Sequence, residues 1–68
     1  MTDTELLKKK IDESGYKISF IAQKCGLTYQ GFLPKMNGMR EFKQTEIIVL
    51  RELLKLTQEE ADEIFFAA

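Results

Sequence analysis

The sequence predicts an all-α fold: five short helices in a single domain spanning residues 1–68. Three observations carry this. Apolar residues recur at i, i+3, i+4 and i+7, as in Ile18, Ile21, Ala22 and Cys25, which is one face of a helix. Residues that end helices, Gly15, Gly26 and Asn37-Gly38, fall at short intervals. No segment shows the apolar–polar alternation of a half-buried strand, no repeat is visible and nothing is low-complexity.

Each helix has its own signals. The first is expected over roughly residues 3–14, opened by a Thr2–Glu5 capping box, with Leu6, Leu7 and Ile11 inward and Lys8, Lys9 and Lys10 mostly facing water. Gly15 supplies a left-handed stop, and Tyr16-Lys17 connects to the second helix, about 18–25. Gly26 makes the next turn, and Leu27 plugs the core. Thr28 is a good N-cap for a third helix at about 29–37, because its hydroxyl can accept from the Gln30 or Gly31 amide. Phe32 and Met36 share that helix's inner face. Met39 to Lys43 forms a loop with Arg40 and Lys43 exposed and Phe42 turned inward. The fourth helix, about 44–54, buries Ile47, Leu50, Leu53 and Leu54. Thr57 and Glu60 form a second, clearer capping box that opens the fifth helix, about 58–66, where Ala61, Ile64, Phe65 and Ala68 keep helical spacing.

Composition narrows the functional classes. With 44% apolar and 31% charged residues, the chain suits a compact soluble domain. One cysteine and no histidine exclude an internal disulfide and a zinc-ligand set, so apolar packing must build the core. No apolar run is long enough for a membrane span or a signal peptide, and the unpaired cysteine points to the cytoplasm. Cys25 faces the core as a small hydrophobe. The residues of an active site are missing: there is no histidine, no nucleophile paired with a base and no phosphate-cradling glycine loop. No enzyme, cofactor or small-molecule ligand is expected.

Net charge is −1, but it is unevenly spread. Between Lys17 and Lys43 lie Lys17, Lys24, Lys35, Arg40 and Lys43 against Glu41 alone. From Thr57 onward come Glu59, Glu60, Asp62 and Glu63 with no base. A polyanion meets the local field, not the net value, so the central stretch suits nucleic acid.

That stretch carries a family likeness. IAQKCGLT, then FLPKMNG with its Asn-Gly end, then EIIVLRELLKL and TQEEADEIFF, resemble the Cro-like and phage-repressor-like (Xre-type) helix-turn-helix family over nearly the whole chain. The resemblance implies a five-helix, lambda-repressor-like helix-turn-helix domain framed by Ile21, Ala22, Cys25, Gly26, Leu27, Phe32 and Met36. Ala22 would be small because the next helix crosses close above it. The third helix would lie in the major groove of a double-stranded DNA operator, exposing Thr28, Tyr29, Gln30, Gly31, Leu33, Pro34 and Lys35. Family members read bases at the positions of Tyr29, Gln30 and Pro34. Gln30 can pair with the N6 and N7 edge of adenine. Tyr29 can press on a thymine methyl or reach a phosphate. Lys17, Ser19, Thr28, Lys35, Arg40 and Lys43 would hold the DNA backbone. The family usually acts as a homodimer, and Phe65 and Phe66, adjacent in a helix, cannot both be buried in one subunit. The implied function is a phage-type repressor that blocks polymerase by covering its operator. The alternative is an antitoxin-like or anti-repressor interaction module on the same fold, suggested by the acidic last helix. A non-specific nucleic-acid binder is a second rival.

Two positions depart from the family pattern. Ile18 stands where a glutamine often caps the second helix and touches phosphate, leaving Ser19 or Lys17 for that contact. Pro34 falls about six residues into the third helix, where it removes an amide and crowds the preceding turn. Either that helix is kinked after Leu33, or its exposed end tolerates the proline.

Overall fold

The computed structural model describes residues 1–67. It contains α1 (Thr4–Ser14), α2 (Ile18–Lys24), α3 (Tyr29–Met36), α4 (Gln44–Leu53) and α5 (Gln58–Phe65), with no strand among the described residues. Every boundary lies within one residue of its expected place. The expected inward position of Ala68 lies outside the described residues. The chain closes into a body of 27 × 23 × 20 Å.

The helix starts show which side chains cap. Thr28 accepts from the Gly31 amide at 3.0 Å, and Thr57 and Glu60 form the expected reciprocal box, at 3.1 and 2.9 Å. The first helix departs from expectation. It starts at Thr4, so Asp3, not Thr2, is the N-cap, and its carboxylate accepts from the Leu6 amide at 3.1 Å. Glu5 then falls in the first turn, where its charge complements the positive helix end instead of closing a box. The Asp3 amide donates to the Ile64 carbonyl at 2.6 Å and ties the start of α1 to α5.

Three helices end alike. After α2, Gly26 takes φ +76°, its amide donates to Gln23 and the Leu27 amide donates to Ala22. After α3, Gly38 takes φ +82° with the matching bonds from Gly38 to Lys35 and from Met39 to Pro34. This is the Schellman arrangement, which satisfies carbonyls left over at a helix end. Gly38 is needed twice over, because a β-carbon there would stand 3.0 Å from the Thr4 methyl. Asn37, which also tolerates left-handed geometry, keeps φ −90° and leaves that conformation to Gly38. The same ending follows α4 without a glycine: Lys55 takes φ +55°, and the Leu56 amide donates to Arg51.

The core lies where the five helices converge. Leu7, Ile21, Phe32, Leu50 and Ile64 have the largest side chains fully out of contact with solvent, one from each helix. Ala22 is fully buried, and α2 and α3 pack against each other. Phe42 turns inward as expected, between Phe32 and Phe65. Leu27, Cys25, Leu53 and Leu54 sit half-buried at the margin, so the last two are less enclosed than expected.

Pro34 lies inside α3, which continues through it to Met36. The proline leaves the Gln30 carbonyl without its i+4 donor. Its own carbonyl stays well used, accepting from Met39 at 2.8 Å and Arg40 at 3.3 Å. Because Gln30 is exposed, water can take the place of the missing amide and lower the cost. Replacing Pro34 with Gln should still gain about 1 kcal/mol, below the ~3 kcal/mol of a fully interior proline. In a domain this size that is a rise of about 4–8 °C in melting temperature. An unchanged or lower melting temperature would show that packing of the half-buried proline ring offsets the lost bond.

Candidate nucleic-acid interface

The α2–α3 pair divides along its length. Ile21, Ala22, Phe32 and Met36 are buried, Cys25 and Leu27 are half-buried against them, and Gly26 makes the turn. Of the seven residues expected to frame the pair, six lie in or against the core and Gly26 is exposed at the turn. On the outside, the first turn of α3 is open: Thr28, Tyr29 and Gln30 are exposed. Gly31 is half-buried and keeps the cap uncrowded, since a β-carbon there would stand 3.1 Å from the Thr28 hydroxyl.

Beyond that turn the expectation needs correction. Leu33 and Pro34 are half-buried, not exposed. Lys35, expected to hold a phosphate, is 9% exposed. Its ammonium donates to both oxygens of Glu46 in α4, at 2.7 and 2.9 Å. The cause is position: Lys35 precedes Met36 on the side of α3 that packs toward the core, and a long lysine there needs an acid to end on. Glu46 also accepts from the Lys43 amide at 2.8 Å, so one carboxylate caps α4 and anchors α3. Burial alone would raise the Glu46 pKa. The Lys35 ammonium and the Lys43 amide outweigh it and hold the carboxyl below its ordinary range.

The other expected backbone contacts remain accessible. Lys17, Ser19, Arg40 and Lys43 are exposed, and none of the three cations ends on an acid among the described residues. Lys10, expected to face water, instead binds Glu60 at 2.7 Å. That ammonium and the Thr57 amide take the Glu60 pKa down to about 2. Burial, with Glu46 adding to it and Lys35 opposing, pushes the Cys25 thiol up to about 11, which disfavours its thiolate.

The two C-terminal phenylalanines separate. Phe65 is 3% exposed and packs edge-on against Phe42, so it is withdrawn from any interface. Phe66 is 59% exposed. The Ala67 amide donates to the Met1 carbonyl at 3.1 Å, bringing Phe66 near the exposed N-terminus.

One group was not anticipated from the sequence. Tyr16 and Phe20 stack with ring centroids 5.2 Å apart, and the Lys24 ammonium stands 5.3 Å over the Phe20 ring. Their i, i+4, i+8 spacing was the available signal, but it falls on the polar side of α2, where apolar periodicity does not look. Among the described residues no cluster of His, Cys, Asp or Glu could hold a metal, and no helix is long and apolar enough to cross a membrane. Compared with known proteins, the chain matches no family model, no curated protein and no solved structure.

Proposed function

We propose that this chain is a sequence-specific double-stranded DNA-binding protein with a lambda-repressor-like helix-turn-helix, acting as a phage-type repressor by operator occlusion and not as an enzyme. The observation that carries the reading is the division of α3. Its second half is locked inside by Phe32, Met36 and the Lys35–Glu46 pair, while its first turn presents Tyr29 and Gln30 outward from a firm base. That is what a reading helix requires, since base edges are met by the N-terminal residues of the helix in the groove. Gln30 reads adenine, Tyr29 a thymine methyl or a phosphate, and Pro34 offers only apolar contact. Lys17, Ser19, Thr28, Arg40 and Lys43 hold phosphates, and Lys35 no longer belongs among them.

The test is a selection of bound sequences from a random duplex library. A recovered palindrome with half-sites about 34 Å apart supports both reading and dimer. Gln30→Ala should lose preference at one base pair by about 1–3 kcal/mol, roughly 5- to 150-fold, with non-specific binding retained. Equal loss on every sequence would assign Gln30 to the backbone instead. Binding with a steep salt slope and no preference would favour the non-specific rival.

Dimerisation in this reading rests on Phe66 alone. Phe66→Asp should convert a dimer to a monomer in sedimentation and remove the concentration dependence of the thermal melt, while the fold is kept because the side chain is outside the core. A monomer before substitution removes the dimer. The interaction-module reading draws on the exposed acids Glu59, Asp62 and Glu63 beside Phe66, and absence of DNA binding at low salt would favour it.

A further inference from the structure

A groove of about 640 Å³ opens between the end of α1, the α1–α2 connector and the start of α3. Its apolar floor is Ile11, Ile18 and Met36, which are buried or half-buried. Its lining includes both tyrosines of the chain, Tyr16 at 41% and Tyr29 at 49% exposure. Lys8, Lys17 and Asp12 add charge to its lining. Neither lysine meets an acid among the described residues. The Tyr16–Phe20–Lys24 ladder leads away from it along α2.

We propose that this groove and ladder bind single-stranded nucleic acid, with one unpaired base between Tyr16 and Tyr29 and the backbone running along Lys17 and Lys24. A groove with an apolar floor and two half-exposed tyrosines in its lining suits a base, whose faces stack on any ring, and the lining lysines complement the phosphates. Two features favour a strand over a free nucleotide. The aromatic ladder extends beyond the volume one nucleotide fills, and its cations extend with it. Asp12 adds a preference, because a carboxylate accepts from the exocyclic amine of adenine, cytosine or guanine, which thymine and uracil lack. The site stands apart from duplex reading: Tyr16, Phe20, Asp12 and Lys8 have no part in it, and only Tyr29 and Lys17 are shared.

The two activities can be tested separately on the whole chain. Amide and tyrosine-ring NMR signals are followed while adding a short oligo(dA) strand, the same length of oligo(dT), a blunt duplex, or AMP. Saturable shifts at Tyr16, Tyr29 and Ile18 are expected with oligo(dA), weaker ones with oligo(dT), and weaker still with AMP. Tyr16→Ala should weaken strand binding about tenfold and leave duplex binding intact. Tyr16→Phe should keep strand binding, and Gln30→Ala should alter duplex preference without touching the strand. Shifts confined to lysines and reproduced by inorganic phosphate overturn the proposal, as does a Tyr16→Ala variant that binds the strand as well as the parent. AMP binding as tight as the oligonucleotide overturns the strand in favour of a free nucleotide.

Discussion

Glu46→Ala should leave the chain largely unfolded at room temperature. The carboxylate is 4% exposed and makes three bonds, two from the Lys35 ammonium and one from the Lys43 amide. Its removal strands a buried cation, which costs about 3–5 kcal/mol when one partner of a buried pair is lost. It also uncaps α4, worth a further ~0.5–2 kcal/mol. A domain of this length holds only about 3–5 kcal/mol in total. Urea titration followed by circular dichroism measures the loss, and a decrease under ~1 kcal/mol would show that the lysine escapes to water instead. The double variant Lys35→Met, Glu46→Leu separates charge from packing. Removing both ions together is often neutral or stabilising, so it should refold most of the protein, less the missing cap.

The same carboxylate gives stability a direction in pH. Glu46 and Glu60 both have folded pKa values below their ordinary 4.5. A depressed carboxyl contributes stability that is present above its unfolded value and is lost as pH falls through the folded one. The Glu60 part of the loss should therefore run from about pH 4.5 down toward pH 2, and Glu46, held below its ordinary value by Lys35 and the Lys43 amide, should add to the loss as pH falls below about 4.5.

These effects mark the limit of what the sequence discloses. Helix boundaries were legible because their signals are local: Thr28 and Thr57 cap within three residues, and Gly26 and Gly38 supply the positive φ that ends a helix. The left-handed Lys55 was not legible, since nothing in a lysine advertises that conformation, and the pull comes from the Leu56–Arg51 bond and the packing around it. Side-chain pairing over distance was not legible either. Lys35 reads as a surface cation until Glu46, eleven residues on, is brought against it. The candidate site splits accordingly. The exposure of Tyr29 and Gln30 was legible from their place just after a cap. That of Lys35 and Phe65 was not, because it depends on what α4 and Phe42 occupy. The paired Tyr16 and Phe20 were illegible for the opposite reason: both rings stay outside the core, so the buried apolar period carries no trace of them.

Phe42→Ala should be nearly as damaging as the loss of Glu46, for a purely apolar reason. Phe42 belongs to no helix, yet it is 7% exposed and packs between α3 and α5. Its ring meets Phe32 of α3 edge-on at 5.7 Å and Phe65 of α5 at 5.5 Å, with interplanar angles of 60° and 82°. Edge-to-face pairs add about 0.5–1.5 kcal/mol each beyond the area they bury. Truncating a buried phenylalanine costs about 3–5 kcal/mol, because the cavity collapses only in part. Here collapse is hindered further, since the loop carrying Phe42 is pinned on one side by the Gly38 and Met39 amides and on the other by the Glu46 cap. Phe42→Leu keeps most of the volume and loses the ring geometry, so it should fall well short of the alanine variant. If leucine and alanine destabilise equally in a thermal melt, the contribution lies in the aromatic edges and not in the filled space. If neither does, the loop is free to leave the core, and α3 and α5 hold together without it.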